Sequence, residues 1–139
     1  MAKLNYDDEN MTTVLRDARV IAVVGHSDKP DRTSYRIAQY LRQAGYTVYP
    51  VNPVVDTIDG ETSYPSLADV PEAIDIVNVF RRAEHLDGVV DEAIAVGAKT
   101  VWAQLGVIDH DAAHKATEAG LNMAMDRCIK VEYMRLGLG

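Results

Sequence analysis

Val20-Ile21-Ala22-Val23-Val24-Gly25-His26-Ser27-Asp28-Lys29-Pro30-Asp31-Arg32-Thr33-Ser34 is the stretch on which the reading of the fold turns. Its apolar opening, Val20 to Val24, is rich in β-branched residues and too short for a buried helix. It reads as a strand covered on both faces, as in a parallel sheet. Gly25 then lets the backbone bend sharply and lets another group approach without meeting a Cβ. A polar turn follows, and a helix is expected from about Thr33, with Thr33 or Asp31 as its cap. Free N–H groups at that helix start, with Ser27, Thr33 and Ser34 beside them, suit an anion. A strand, a glycine turn and a helix N-terminus together point to a phosphate-bearing ligand. The competing reading is a plain βα turn.

Working outward, residues 7 to 18 predict a helix. Met11, Val14, Leu15 and Ala18 share one face, and Asp7, Asp8 and Glu9 sit where the macrodipole favours negative charge. After Thr33, the apolar stripe Ile37, Ala38, Leu41 and Ala44 runs to Gly45, the expected C′ residue. Tyr46 to Val51 predicts a second strand, stopped by Asn52-Pro53. Asp59-Gly60 marks a turn, and a short helical turn is expected over Ala68 and Asp69. Further strands are expected at 73–79, 100–103 and 121–125. Helices are expected at 84–96 and 109–119, and a last one, after Asp126-Arg127-Cys128, runs to about Leu136. Five strands alternating with helices predict an α/β single domain over residues 1–139, built on a doubly wound parallel sheet.

Composition limits the function classes. The chain has 139 residues, 47% hydrophobic and 25% charged, as expected of one globular domain. A net charge of −7 argues against nucleic acid as the partner, because phosphate-backbone binding wants a basic face. A small phosphorylated ligand needs only a local cluster. No apolar run approaches the ~20 residues of a membrane span. The acidic N-terminal segment does not read as a signal peptide. With Cys128 the single cysteine, no internal disulfide forms, and a cytoplasmic location is expected.

In doubly wound sheets, ligands sit beyond the carboxyl ends of the strands, where strand order reverses. On that rim the sequence puts Gly25, His26 and Ser27, then Asn52 and Pro53, then Phe80, Arg81 and Arg82. Gln104 and Gly106 follow, and then Asp126, Arg127 and Cys128. A dinucleotide is the first candidate, but the Gly-x-Gly-x-x-Gly fingerprint is missing. Asn52 stands where an Asp or Glu would bind ribose, and there is no Gly-Lys-Ser/Thr phosphate loop.

Taken in order, Val24-Gly25-His26-Ser27, Tyr46-Thr47-Val48-Tyr49-Pro50-Val51-Asn52-Pro53, Val79-Phe80-Arg81-Arg82, Val101-Trp102-Ala103-Gln104-Leu105-Gly106 and Met125-Asp126-Arg127-Cys128 resemble the small stand-alone CoA-binding proteins. These are similar to the CoA-binding domain of the succinyl-CoA synthetase α-subunit. The resemblance covers nearly the whole chain and implies a Rossmann-like fold that binds coenzyme A or an acyl-CoA. It implies phosphates beside Gly25, Ser27 and Ser34, and the nucleotide end beside Asn52 and Pro53. Phe80 and Arg81 would flank the ligand, and pantetheine would run toward Gln104 and Gly106. The synthetase's phosphorylated histidine lies outside this domain, so ligase activity is not implied.

Each candidate has a plainer reading beside it. Arg81 and Arg82 suit phosphate through charge-assisted bonds, or pair with Glu84. Asn52 either binds the nucleotide or closes an Asn-Pro turn. Lys29 either reaches a phosphate or is solvated. Cys128, between Arg127 and Lys130 near a helix start, is in a setting that favours a reactive thiol; a lone cysteine is more often inert. The expectation is a non-catalytic binding or regulatory module, with a protein partner or a second copy as company. The alternatives are a CoA-dependent thiol or acyl-transfer enzyme using Cys128, and a nicotinamide-dinucleotide protein.

Overall fold

The computed structural model describes residues 8–138. Its elements are α1 (Asp8–Asp17), β1 (Val20–Val24), α2 (Thr33–Gln43), β2 (Thr47–Val51), β3 (Thr57–Ile58), β4 (Glu61–Thr62), β5 (Ile76–Val79), α3 (Leu86–Val96), β6 (Thr100–Ala103), α4 (His110–Glu118), β7 (Asn122–Ala124) and α5 (Ile129–Arg135). Five strands form one parallel sheet in the order β2-β1-β5-β6-β7, so the fold is a doubly wound, Rossmann-like α/β domain. Strand order reverses between β1 and β5.

Both faces of the sheet are covered, which is why β1 reads as an unbroken apolar run. Ala22, Val24, Val77, Val79 and Val101 pack with Leu86, Val89 and Ala112 of α3 and α4. Ile21, Val23, Ile76 and Trp102 pack with Leu15, Ile37, Leu41 and Ile129 of α1, α2 and α5. Alternate residues of each strand therefore feed two separate cores.

The structure corrects the sequence expectations at several ends. Asp7, expected in the first helix, lies outside the described residues. The third strand of the sheet begins at Ile76, not Ala73, because Asp75 turns its carboxylate onto the N–H groups of Arg19 and Val20, at 2.8 and 3.0 Å. Residues 83–85 form a 3₁₀ turn, and α3 starts only at Leu86. Asp109 is the N-cap of α4, accepting from the Ala112 N–H. At α2, neither Asp31 nor Thr33 caps: the N-cap is Arg32, and its side chain makes no cap bond. Asp59 and Gly60, both at positive φ (51° and 81°), close a β3–β4 hairpin that the turn signal alone did not delimit.

Candidate functional site

The switch point is built around Gly25. Its N–H donates to the Val51 carbonyl at 2.9 Å, and the Phe80 N–H donates to the Val24 carbonyl at 2.8 Å, so three strand ends are tied together there. Gly25 has φ +88°, and a Cβ on it would stand 2.5 Å from the Phe80 carbonyl oxygen and 3.2 Å from Arg81 Cδ. Only glycine fits this crossing.

The turn after Gly25 is held by its own residues. The Ser27 N–H donates to Ser34 Oγ at 2.9 Å, and the Lys29 N–H donates to Ser27 Oγ at 3.0 Å. Each hydroxyl is thus oriented by a bond it accepts and keeps its own hydrogen to donate. The first turn of α2 carries no acid and no side-chain cap, so its amides face the turn available to an anion. Asn52 Nδ2 donates to the His26 carbonyl at 2.9 Å, and Asn52 Oδ1 accepts from the Val54 N–H at 3.0 Å. Asn52 therefore links the end of β2 to the turn after β1. Pro53 and Lys29 are exposed beside it.

His26 is fully buried. Burial pushes its imidazole below the usual value, the Arg42 charge adds to this, and the Ser27 carbonyl and Asp59 partly oppose it. It serves the turn from inside and does not present its ring to the rim.

The rim arginines differ in their company. Arg82 stands 3.8 Å from Glu84, both widely exposed. Arg127 Nε lies 4.0 Å from the buried Glu132. The Arg81 guanidinium makes no hydrogen bond or ion pair with any described residue, and its stem crosses Gly25. Beside it a crevice of about 210 Å³ opens between the ends of β1 and β2 and helix α3, lined by Val24, Val51, Pro53, Pro65, Leu67, Arg81, Val89 and Glu92. Phe80 is half-buried on the α2 side.

The far half of the rim is knitted more tightly. Gln104 Oε1 accepts from Asn78 Nδ2 and from the Ile129 N–H, each at 3.0 Å. Trp102 Nε1 donates to the Arg127 carbonyl at 3.0 Å, and the Gly106 N–H donates to Asp126 Oδ1 at 2.8 Å. Gln104 thus braces β5 against the start of α5. Cys128 is the N-cap residue of α5 and is half-buried. Its two cationic neighbours are directed elsewhere, Arg127 to Glu132 and Lys130 over the Tyr40 ring at 4.9 Å. No group of residues among those described could hold a metal ion.

A larger open depression of about 890 Å³ lies at the opposite end of the sheet, beside Arg19, Val20, Gly45 and Thr47. The C-terminus of α2 borders it, and that end of a helix repels anions.

Residues 19–134 match the CoA binding domain. The chain belongs to the CoA binding domain family. It is 43% identical over 120 residues to the uncharacterized protein YneT of Bacillus subtilis (strain 168), covering 86% of this chain and 89% of YneT. A hypothetical protein from Pyrococcus horikoshii OT3 superposes with a TM-score of 0.92 at 40% identity, covering 96% of this chain and 94% of that one. Acetate–CoA ligase [ADP-forming] I of Archaeoglobus fulgidus matches at 26% identity over 121 residues, 80% of this chain but 18% of the ligase. The family membership accords with the five strand-end segments singled out in the sequence.

Arg42, Tyr35 and Asp59, which lie around His26, were not singled out as site residues by the sequence, where Asp59 marked only a turn. They belong to a helix face and a hairpin that meet the turn only through tertiary folding. Asn78 had a signal, since it is the one polar residue in Ile76-Val77-Asn78-Val79.

Proposed function

We propose that this protein binds coenzyme A across the carboxyl ends of β2, β1 and β5 and works as a binding or regulatory module. The observation that carries the reading is the crossing of Gly25 by Arg81. The stem of Arg81, whose guanidinium has no partner among the described residues, crosses a glycine-cleared backbone, and the turn that follows this glycine carries two oriented hydroxyls and leads to uncapped helix amides. Guanidinium, amides and hydroxyls are the donors that a pyrophosphate wants. The adjoining crevice offers apolar walls to a flat base. A pantetheine arm would leave along the ends of β5 and β6, toward Gln104 and Gly106.

A holding role, with or without an acyl group on the thiol, is supported by the lack of an activated pair on the rim among the described residues. Both His26 nitrogens are engaged, and Cys128 has no base among its hydrogen-bond partners. Whole-ligase activity is not part of the reading, because the chain matches less than a fifth of that relative.

Calorimetric titration of the reduced protein with coenzyme A, acetyl-CoA and NAD tests it. Stoichiometric binding of coenzyme A, tighter than NAD, is expected. Binding of NAD alone, or of neither by protein that mass spectrometry shows to be ligand-free, would refute it.

A further inference from the structure

The turn after Gly25 is also held from behind, by a residue off the rim. His26 Nδ1 lies 2.7 Å from the Ser27 carbonyl, and His26 Nε2 lies 3.2 Å from Arg42 Nη1. A carbonyl only accepts and a guanidinium only donates. The imidazole is therefore neutral, with its proton on Nδ1. Arg42 is itself aimed by α2 and the hairpin: Nη1 also donates to Gln39 Oε1 at 2.9 Å, and Nη2 faces Glu61 at 4.0 Å.

We infer that Arg42 is a positioning residue for the anion-facing turn: by donating to His26 Nε2 it selects the Nδ1–H tautomer, which then fastens the Ser27 carbonyl and the peptide that follows it. The chain of contacts runs Arg42, His26, Ser27, Ser34, so a side chain from the last turn of α2, about two and a half turns from its ligand end, sets the hydroxyls that face the ligand. Arg42 does not line the rim crevice.

The arrangement gives the turn a proton sensitivity. The charged and titratable groups facing His26 are Arg42 and Tyr35 from α2 and Asp59 from the hairpin, with Glu61 beyond Arg42; Asn52, from the end of β2, carries no charge. A second proton on His26 would sit on Nε2, pointing at a guanidinium that cannot accept it. Burial and Arg42 oppose that proton, while the Ser27 carbonyl and Asp59 favour it. Acid therefore breaks the Arg42–His26 bond, while Nδ1–H, present in the imidazolium as well, keeps its hold on the Ser27 carbonyl, so the ring loses its tie to α2 and not its tie to the turn.

The functional consequence rests on the coenzyme A reading; the tautomer does not. The test is long-range ¹H–¹⁵N NMR of the ligand-free protein from about pH 5 to 8, the range in which imidazoles titrate. Wild type, Arg42→Met and Arg42→Lys are compared, with coenzyme A titrations alongside. In wild type, His26 is expected as the Nδ1–H tautomer, protonating below the usual range. In Arg42→Met its midpoint rises and coenzyme A binds about 3- to 10-fold more weakly, the worth of one hydrogen bond. Arg42→Lys keeps the charge but not the two-pronged donor, and falls between. A wild-type Nε2–H tautomer overturns the inference, as does an unchanged His26 signal and midpoint in folded Arg42→Met. If Arg42→Met does not fold, an unchanged signal in Arg42→Lys does the same. Loss of the coenzyme A reading would show as no binding by wild type, and the NMR comparison would still decide the role of Arg42.

Discussion

In the proposed site two residues stand out in opposite ways, Gly25 by lacking a side chain and Arg81 by having one with no partner among the described residues. For Gly25→Ala, the methyl group meets the Phe80 carbonyl at 2.5 Å in a left-handed backbone. The variant is expected to lose stability by at least about 1–3 kcal/mol, the cost of such strain, read as a lower urea midpoint, and to lose ligand binding. For Arg81→Ala, a phosphate contact in the wild type predicts coenzyme A weaker by roughly 1.5–3 kcal/mol, with stability nearly unchanged because no described residue loses a bond. Calorimetry gives the first number and thermal melting the second. Unchanged affinity would put Arg81 outside the site. Asn52 shows how one side chain serves two ends: its amide ties His26 while its carbonyl oxygen closes the turn to Val54.

At the scale of elements, the short connections place the site. The α2 N-terminus is uncapped and acid-free where it faces the rim, whereas α4, which starts beside the far half of the same rim, has a conventional cap. The Asp109 carboxylate there accepts from the Ala112 N–H at 3.1 Å. Asp109→Ala is expected to cost about 1 kcal/mol of stability, as N-cap removal does, with coenzyme A affinity untouched. Chemical denaturation and calorimetry on one variant check both halves. A fall in affinity would mean that α4 couples to the rim. Helix α1 is fastened at its start by a two-pronged Arg135–Asp8 pair, 2.8 and 3.0 Å, which links it to α5 on the same face of the sheet. Both helices thereby cover the core that contains Trp102 and Ile129.

For the molecule as a whole, acid should act in two windows. Folded His26 protonates below the usual 6.5, chiefly because it is buried. The unfolded chain binds that proton first, so stability is full above pH 6.5 and declines as pH falls toward the folded value. Burial alone would raise Asp75, but the Val20 and Arg19 amides and Lys99 outweigh it and hold the carboxyl below the usual 3.8. Its contribution is present above that value and is lost as pH falls further. Urea midpoints measured from pH 7.5 to 3 should therefore fall first near pH 6. In His26→Gln that first decline should be absent; its persistence would assign the decline to another group. No described helix is long and apolar enough to cross a membrane.

Local pattern determined the architecture. β-Branched runs that end at glycine, and apolar stripes at helical spacing, are properties of neighbouring residues, and they specified five parallel strands, their helices and the rim. Five short segments at the strand ends likewise marked the family. Contacts between distant residues decided the rest. Nothing adjacent to His26 in sequence shows that its ring is buried and gripped by Arg42, sixteen residues on. Nothing near Gln104 shows that its carboxamide braces Asn78 against Ile129. Nor do Arg81, Arg82 and Arg127 reveal by spacing which one lacks an acidic partner. Hydrogen bonding and charge pairing depend on where side chains meet in space, and only the folded sheet brings these residues within reach of one another.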